Sequence, residues 1–191
     1  MRVFIAIDID EEIRKGIADL QAELQSKVDI KKSDVKWVNP NNIHLTLKFL
    51  GEIKDKEAVD VCNITKETAG RHKGFELDIE TVGHFGEKSA RVLWVGTGKG
   101  SENLLELQND LEQQLDSAGW PAENRQFSGH LTLCRIRNQE AGVKLAETAE
   151  SYRDFKLGSI SADSVTVYQS RLAPSGPVYI ALGNYKFKGR T

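Results

Sequence analysis

Two strands of this chain begin with the same four residues, HLTL, one copy starting at His44 and the other at His130. Successive side chains of a strand point to opposite faces, so His44 shares a face with Thr46, and His130 shares a face with Thr132. The leucines of both copies then point the other way, into an apolar core. The repeat therefore predicts two polar faces, each with one imidazole and one hydroxyl. A chance identity between two ordinary strands is the alternative.

Two imidazoles that meet across a cleft are suited to in-line phosphoryl transfer. One histidine takes the proton of the attacking nucleophile, and the other protonates the leaving oxygen on the opposite side. An imidazole pKa of about 6.5 suits both tasks. The threonine hydroxyls can donate hydrogen bonds to non-bridging phosphate oxygens as charge develops in the transition state. The residues alone leave open which histidine is the acid and which is the base.

This chemistry needs no metal ion, and we predict neither a metal nor a cofactor. The sequence contains no HExxH motif and no EF-hand loop. Two histidines without neighbouring carboxylate or thiolate partners make a poor metal site. A histidine-based metal site is the weaker alternative, and a chelator would distinguish the two.

The elements around the motifs predict an α+β fold. Strands are expected where β-branched and aromatic residues cluster, and helices where apolar residues recur at helical spacing. The predicted strands cover 2–9, 35–38, 43–51, 75–82, 90–96, 129–137, 155–172 and 177–187. Four helices are predicted: one after Asp10, one over 55–69, one that begins at Ser101 and one over 139–150. The irregular succession indicates mostly antiparallel sheets. The repeated motif indicates a two-lobed, pseudo-twofold duplication, with sheets lining a central cleft and helices outside.

Composition limits the class of protein. The chain has 191 residues and a net charge of −2, which argues against binding nucleic acid or membrane by bulk charge but permits a local basic cleft. No apolar run is long enough to span a bilayer, and the N-terminus lacks a signal-peptide cleavage region. Cys62 and Cys134 form no CxxC pair, so reduced thiols are expected. We predict a cytoplasmic protein, monomeric by default, with no membrane or protein partner implied.

The context of both motifs resembles the 2H phosphoesterase superfamily, which is named for two H-x-[ST]-x motifs. Within it, the chain is most similar to the RNA 2′,3′-cyclic phosphodiesterase branch, also called the 2′-5′ RNA ligase family. The segments that carry the resemblance are MRVFIAI at 1–7, WVNPNNIHLTLKFLGEI at 37–53, ARVLWVG at 90–96, FSGHLTLCRIR at 127–137 and VYQSRLAPSGPVYIAL at 167–182. Together they cover nearly the whole chain in the expected order.

The resemblance implies one two-lobed domain over residues 1–191, with one motif in each lobe. It implies hydrolysis of terminal 2′,3′-cyclic phosphates in RNA to 2′-phosphates, so RNA ends of this kind are the implied partner. By motif position, His44 corresponds to the proton donor to the leaving 3′ oxygen, and His130 to the acceptor that activates water. Thr46 and Thr132 correspond to phosphate-binding hydroxyls. In reverse, the same pair would join a 5′-hydroxyl to a cyclic phosphate without ATP, giving a 2′-5′ linkage.

Three residues near the motifs are further candidates for substrate binding. Alternation places Lys48 on the face of His44, and Phe49 is a candidate for stacking on a base. The family commonly has arginine at the position of Arg135, but strict alternation points it away from the histidine face unless a β-bulge redirects it. Alternation also places Cys134, where the family often has alanine, beside His130, so its oxidation would obstruct the cleft. The alternatives are a surface lysine, a core phenylalanine and a buried thiol.

The sequence is also consistent with two alternative functions. The same catalytic pair serves small cyclic phosphates or 2′-5′ oligonucleotides elsewhere in the superfamily, and comparing short RNA with mononucleotide substrates would separate these activities. A non-catalytic RNA-binding module that retains the fold is the alternative from a different class. The presence of both complete motifs argues against that loss of activity.

Overall fold

The computed structural model describes residues 1–174 and 176–189. Nine strands and four α-helices lie in these residues. The strands are β1 (Arg2–Ile7), β2 (Val35–Trp37), β3 (Leu45–Glu52), β4 (Phe75–Phe85), β5 (Val92–Thr97), β6 (His130–Ile136), β7 (Lys156–Ala162), β8 (Ser164–Ala173) and β9 (Gly176–Lys186). The helices are α1 (Glu11–Lys27), α2 (Asp55–Ala69), α3 (Ser101–Ser117) and α4 (Gln139–Glu150). The predicted strand over 155–172 is two strands, β7 and β8, which are separated at Asp163.

The strands form two antiparallel sheets. The first sheet has the order β3-β1-β8-β9, and the second has the order β2-β6-β5-β4-β7. The first sheet therefore holds the strand that follows His44, and the second holds the strand that begins at His130. The predicted α+β class with antiparallel sheets is confirmed. Neither sheet is built from one continuous segment of the chain. β2, from the first half of the chain, belongs to the second sheet, and β8 and β9, from the second half, belong to the first sheet.

The helices cover the sheets and form where apolar stripes and caps favour them. Asp10 accepts a hydrogen bond from the backbone N–H of Ile13 at 2.8 Å and caps α1, whose buried face includes Ile17, Leu20 and Leu24. α1 and α4 pack on the second sheet, α2 packs on β8 and β9, and α3 contacts both sheets. Among the residues that the structure describes, no helix is long and apolar enough to cross a membrane.

The leucines of the two motifs lie in the core. Leu45, Leu47, Leu131 and Leu133 are all buried and belong to one apolar cluster with the inner faces of the helices. Their burial fixes the orientation of both motif strands, because rotating either strand would expose two leucines to water. The histidine and threonine of each motif consequently point away from the core, as alternation predicts.

Candidate active site

A cleft of about 390 Å³ is lined by residues of both sheets. His44 and Thr46 line it from the first sheet, and Thr132 and Arg135 line it from the second. Among the described residues, the remaining lining residues are Arg2, Phe4, Lys36, Trp37, Val38, Asn39, Asn42, Ile43, Phe49, Ser170, Leu172, Gly176, Pro177 and Tyr179. The structure thus brings one motif from each sheet to a single cleft.

His130 lies along β6 between this cleft and a second cavity. Thr132, two residues after it, lines the cleft, whereas Gly129, immediately before it, lines the second cavity. The His130 ring contacts Phe85 edge-on, with ring centroids 4.9 Å apart, and lies 6.3 Å from the centroid of Trp94. His130 itself is not among the described lining residues of either cavity, and these two aromatic rings pack beside its imidazole.

The His130 tautomer is set by its own backbone. Its Nδ1 lies 2.7 Å from the carbonyl oxygen of Ser128. A carbonyl oxygen only accepts hydrogen bonds, so Nδ1 carries the proton and Nε2 of the neutral ring keeps its lone pair. Burial lowers the pKa of His130, the bond to Ser128 opposes that shift, and the positive charge of Arg135 adds to it. A neutral ring with a free Nε2 is the form that a general base requires.

His44 lies among aromatic rings. The Phe4 ring stacks on it with centroids 4.6 Å apart, and Tyr179 meets it edge-on at 5.1 Å. Burial lowers the pKa of His44 to about 4, and the negative charge of Asp8 acts in the opposite direction. His44 is therefore neutral at pH 7 in the free protein. A bound phosphate diester adds a negative charge close to the ring, which favours its protonated form.

Asp8 also holds the aromatic rings around His44 in place. Its carboxylate accepts hydrogen bonds from the hydroxyl of Tyr168 at 2.5 Å and from Thr166 at 2.8 Å. The Tyr168 ring stacks on Phe4 with centroids 5.2 Å apart. Burial and the neighbouring carboxylate raise the pKa of Tyr168. The hydroxyl therefore stays protonated at neutral pH and keeps its hydrogen bond to Asp8.

Both motif strands carry a β-bulge at the same position. In the ladder between β1 and β3 the register shifts so that Leu47 and Lys48 are both buried. In the ladder between β5 and β6 the equivalent shift buries both Leu133 and Cys134. One extra residue reverses the alternation of the residues that follow it directly. The next residue of each strand, Phe49 or Arg135, is consequently exposed and lines the cleft.

The bulge in β3 contradicts the expected orientation of Lys48. Its side chain is only 3% exposed and does not line the cleft. Its Nζ forms an ion pair with Glu112 of α3 at 2.5 Å and donates to the carbonyl oxygen of Pro121 at 2.8 Å. The prediction of Lys48 as a substrate residue is therefore wrong, because the bulge in β3 reverses the alternation between Thr46 and Lys48. Lys48 instead ties β3 to α3 and to the segment that precedes β6.

The bulge in β6 determines the positions of Cys134 and Arg135. Cys134 is fully buried in the core cluster, and burial raises its pKa to about 12. The hypothesis that this thiol lines the cleft is therefore wrong, and the alternative of a buried thiol is confirmed. Arg135 is turned to the cleft, which is the outcome that a bulge was expected to produce. Its role in holding substrate stays a prediction, as does stacking by Phe49, whose side chain is 60% exposed.

Sequence reasoning missed the cleft position of Lys36. This residue lies on β2, directly opposite Arg135 in the ladder with β6, and both side chains line the cleft. Like charges directly opposite each other destabilise a ladder unless an anion lies between them. Arg2 supplies a third cation to the lining, and none of the described lining residues is a carboxylate. A protein of net charge −2 therefore has a locally positive cleft.

No group of three or more His, Cys, Asp or Glu side chains in residues 1–174 and 176–189 is arranged as metal ligands are. His72 lies elsewhere, with its Nε2 2.9 Å from Asp110 of α3. The independence from metals and cofactors stays a prediction.

Comparison with known proteins agrees with this geometry. The family model described as LigT-like phosphoesterase matches the chain twice, over residues 7–94 and 95–179. An RNA 2′,3′-cyclic phosphodiesterase of Methanocaldococcus jannaschii is 31% identical over 180 residues, which are 94% of this chain and 96% of that protein. The enzyme of the same name from Escherichia coli K12 is 31% identical over 142 residues, or 74% of this chain and 76% of that protein.

Solved structures have the same fold. Escherichia coli LigT in complex with 3′-AMP superposes with a TM-score of 0.79 at 27% identity, covering 97% of each chain. A protein of Thermus thermophilus superposes with a TM-score of 0.80 at 25% identity, covering 100% of each chain. The two family matches divide the chain between the two motifs, so the resemblance to the 2H phosphoesterases is confirmed. The chain belongs to the LigT-like phosphoesterase family.

Proposed function

We propose that this protein hydrolyses the terminal 2′,3′-cyclic phosphate of RNA to a 2′-phosphomonoester, with His44 as the proton donor and His130 as the proton acceptor. The family and the names of the curated relatives support this phosphodiesterase activity. The observation that carries the assignment of roles is the hydrogen bond from Nδ1 of His130 to Ser128, which leaves Nε2 free to accept a proton. The terminal cyclic phosphate of RNA is accordingly the proposed partner.

In the proposed reaction, Nε2 of His130 takes a proton from water as the water oxygen attacks phosphorus. The bond between phosphorus and O3′ breaks on the opposite side, and O3′ takes a proton from the His44 imidazolium. The hydroxyls of Thr46 and Thr132 donate hydrogen bonds to the non-bridging oxygens. The negative charge of the bound diester raises the pKa of His44 from its free value of about 4 and so supplies this acid in the complex.

The cations of the cleft suit an RNA chain. We place the reacting phosphate near Arg135, whose charge reaches both His130 and Tyr179. Lys36, on the neighbouring edge strand, then lies where the preceding phosphate of the same strand would pass. Phe49, on the opposite sheet, offers an exposed ring to a base. This arrangement favours an oligonucleotide over a mononucleotide as the substrate.

The same groups would catalyse ligation when a 5′-hydroxyl replaces water as the nucleophile. A 5′-hydroxyl in place of water gives up its proton to His130 and attacks the cyclic phosphate, and His44 protonates O3′. The product is a 2′-5′ phosphodiester, and opening the ring drives its formation without ATP. We also propose that residues 1–191 form a single domain of two pseudo-symmetric lobes, acting as a monomer in the cytoplasm. The last residues, 190 and 191, and residue 175 lie outside the described residues.

Replacing each histidine tests the assignment. His44→Ala and His130→Ala should each lower kcat by about 10² to 10⁴-fold, because general acid and base groups contribute rates of this order. Thr46→Ala and Thr132→Ala should cost less, since each removes a hydrogen bond and no proton transfer. His72→Ala, which removes an imidazole that lies outside the cleft, is the matched control. Near-normal turnover by either His44→Ala or His130→Ala, with the fold intact by circular dichroism, would contradict the mechanism.

Comparing substrates tests the substrate class. A short RNA that ends in a 2′,3′-cyclic phosphate should have a kcat/KM at least tenfold above that of a nucleoside 2′,3′-cyclic monophosphate. Equal values would shift the function towards a small cyclic phosphate. RNA binding without any turnover would indicate a binding module.

A further inference from the structure

A second cavity, of about 330 Å³, lies at the start of β6. Its volume falls near the lower end of the range for small-molecule sites. Among the described residues, it is lined by Thr81, Trp94, Gly96, Thr97, Ser101, Leu104, Leu105, Phe127, Ser128 and Gly129. None of these side chains carries a charge, in contrast to the three cations of the cleft. The second cavity therefore suits a neutral group and does not suit a phosphate.

The second cavity adjoins His130. Ser128 and Gly129 line it and directly precede the histidine, and the Ser128 carbonyl oxygen holds Nδ1 of the imidazole. Gly96 lines it and lies opposite His130 in the ladder between β5 and β6. A molecule in this cavity is thus next to the group assigned as the base. A base acts on the nucleophile, so a nucleophile bound in this cavity would lie beside the group that takes its proton.

The lining offers the contacts that a nucleoside needs. Trp94 and Phe127 present aromatic rings, on which bases stack. The Trp94 indole lies over Gly83, where a Cβ would collide with the ring, and it also packs closely against Gly96. Its Nε1 is buried without a hydrogen-bond partner among the described residues. Unpaired buried donors are uncommon in folded proteins. Because this nitrogen has almost no accessible surface, the cavity offers a base the ring of the indole and not its N–H.

Hydroxyl groups complete this lining. Ser101 donates to Thr97 at 2.7 Å, and both line the cavity together with Thr81. Thr81 has a φ of 65°, which is strained for a β-branched residue. Strain of this kind is often found where a backbone is held for binding. Hydroxyl groups beside aromatic rings match the ribose and base of a nucleoside.

We propose that the second cavity binds the nucleoside whose 5′-hydroxyl is the nucleophile in 2′-5′ ligation. The inference rests on the proposed function, because it requires His130 to be the base. Hydrolysis uses only water at this position, which needs no cavity of this size. In ligation the 5′-oxygen forms a bond to phosphorus, its proton passes to Nε2 of His130, the bond from phosphorus to O3′ breaks, and O3′ takes the proton of His44. When a 2′-5′ linkage is cleaved, the same nucleoside leaves from this cavity.

Leu105→Arg tests the proposal. Leu105 lies on α3, is 37% exposed, and does not line the cleft. Its replacement by a long charged side chain should occupy the neutral cavity. Ligation of a cyclic-phosphate RNA to a 5′-hydroxyl RNA should fall at least tenfold through a higher KM for the acceptor. Hydrolysis of the cyclic-phosphate RNA should stay within twofold. Val59→Arg on α2, where Val59 is 58% exposed, is the matched control and should change neither reaction.

Competition by adenosine provides a second measurement that needs no variant. Adenosine should compete with the 5′-hydroxyl acceptor in ligation by the wild-type protein and should not compete with the cyclic-phosphate RNA in hydrolysis. Full ligation by the Leu105→Arg variant would overturn the proposal. The proposal would also be overturned if this variant lost ligation and hydrolysis equally and adenosine competed with the cyclic-phosphate RNA in the wild type. Hydrolysis by the wild type without ligation or 2′-5′ cleavage would also overturn it, and would leave the proposed hydrolase intact. Absence of hydrolysis would contradict the proposed function itself.

Discussion

Phe49 and Arg135 occupy equivalent positions in the two motif strands, each three residues after the motif threonine, and both line the cleft. Each follows a β-bulge that buries two consecutive residues, so the duplication includes the irregularity of the strand as well as its sequence. The side chains differ because the two walls of the cleft differ. One wall offers an aromatic ring and the other a positive charge, which suits an asymmetric ligand such as a nucleotide.

Removing the two paired cations should weaken RNA binding. Lys36→Met and Arg135→Met should each raise KM for RNA, and each should lower the slope of log Kd against log salt by about 0.7, the contribution of one phosphate contact on a single strand. Binding of the RNA to a catalytically inactive His130→Ala background, measured at several salt concentrations, checks the slope. Lys15→Met on the exposed face of α1 is the control. An unchanged slope in both cleft variants would contradict the assignment of phosphates to this wall.

The pH dependence of hydrolysis should reflect the pKa values of His44 and His130 in the free protein. Hydrolysis needs His130 neutral and His44 protonated, and burial lowers the pKa of both rings, that of His44 to about 4. The profile of kcat/KM, which reports the free enzyme, should therefore be bell-shaped with its maximum below pH 6.5. The profile of kcat should be displaced to higher pH, because the bound diester raises the pKa of His44. A kcat/KM that is flat between pH 5 and 8 would contradict the pair, provided that chemistry limits the rate.

Burial of His44 should also make stability depend on pH. Above pH 6.5 the ring is neutral in both the folded and the unfolded chain, so it has no effect. Between pH 6.5 and about 4 the unfolded chain binds a proton that the folded chain does not, so the free energy of unfolding falls as the pH falls. His44→Phe should remove about 3 kcal/mol of this loss between pH 7 and pH 4. Urea denaturation of both proteins at the two pH values measures the difference, and equal losses would contradict it.

The ion pair between Lys48 and Glu112 should contribute to folding and not to chemistry. Its lysine is 3% exposed, and Glu112 also accepts a hydrogen bond from the backbone N–H of Glu123 at 2.6 Å. Lys48→Met leaves the carboxylate buried without its cation, which should lower the free energy of unfolding by about 3 kcal/mol. The double variant with Glu112→Gln should lose less than the two single changes combined. Thermal unfolding checks this, and additive losses would show that the two groups do not interact.

The parts of the site that depend on local pattern were predictable. Alternation within HLTL placed His44 with Thr46 and His130 with Thr132, and the four buried leucines agree with it. The bounds of α2 and α4 coincide with the predicted helices over 55–69 and 139–150, because apolar spacing and flanking turns mark both ends.

The parts that depend on partner strands were not predictable. A bulge is defined by the pairing with the neighbouring strand. The sequence alone does not show that one residue of β1 lies opposite two residues of β3, or that one residue of β5 lies opposite two residues of β6. Lys48 and Cys134 were therefore assigned to the wrong face. Lys36 was missed for the same reason, since only the pairing of β2 with β6 places it opposite Arg135.

The most direct test of the central claim is ³¹P NMR of a short RNA that ends in a 2′,3′-cyclic phosphate, incubated with the protein in excess EDTA. We expect the cyclic-phosphate resonance to be replaced by that of a 2′-monophosphate, and we expect His44→Ala and His130→Ala to leave it nearly unchanged over the same time. A 3′-monophosphate product, no conversion by folded wild-type protein, or full conversion by either variant would contradict the proposed reaction and its two catalytic histidines.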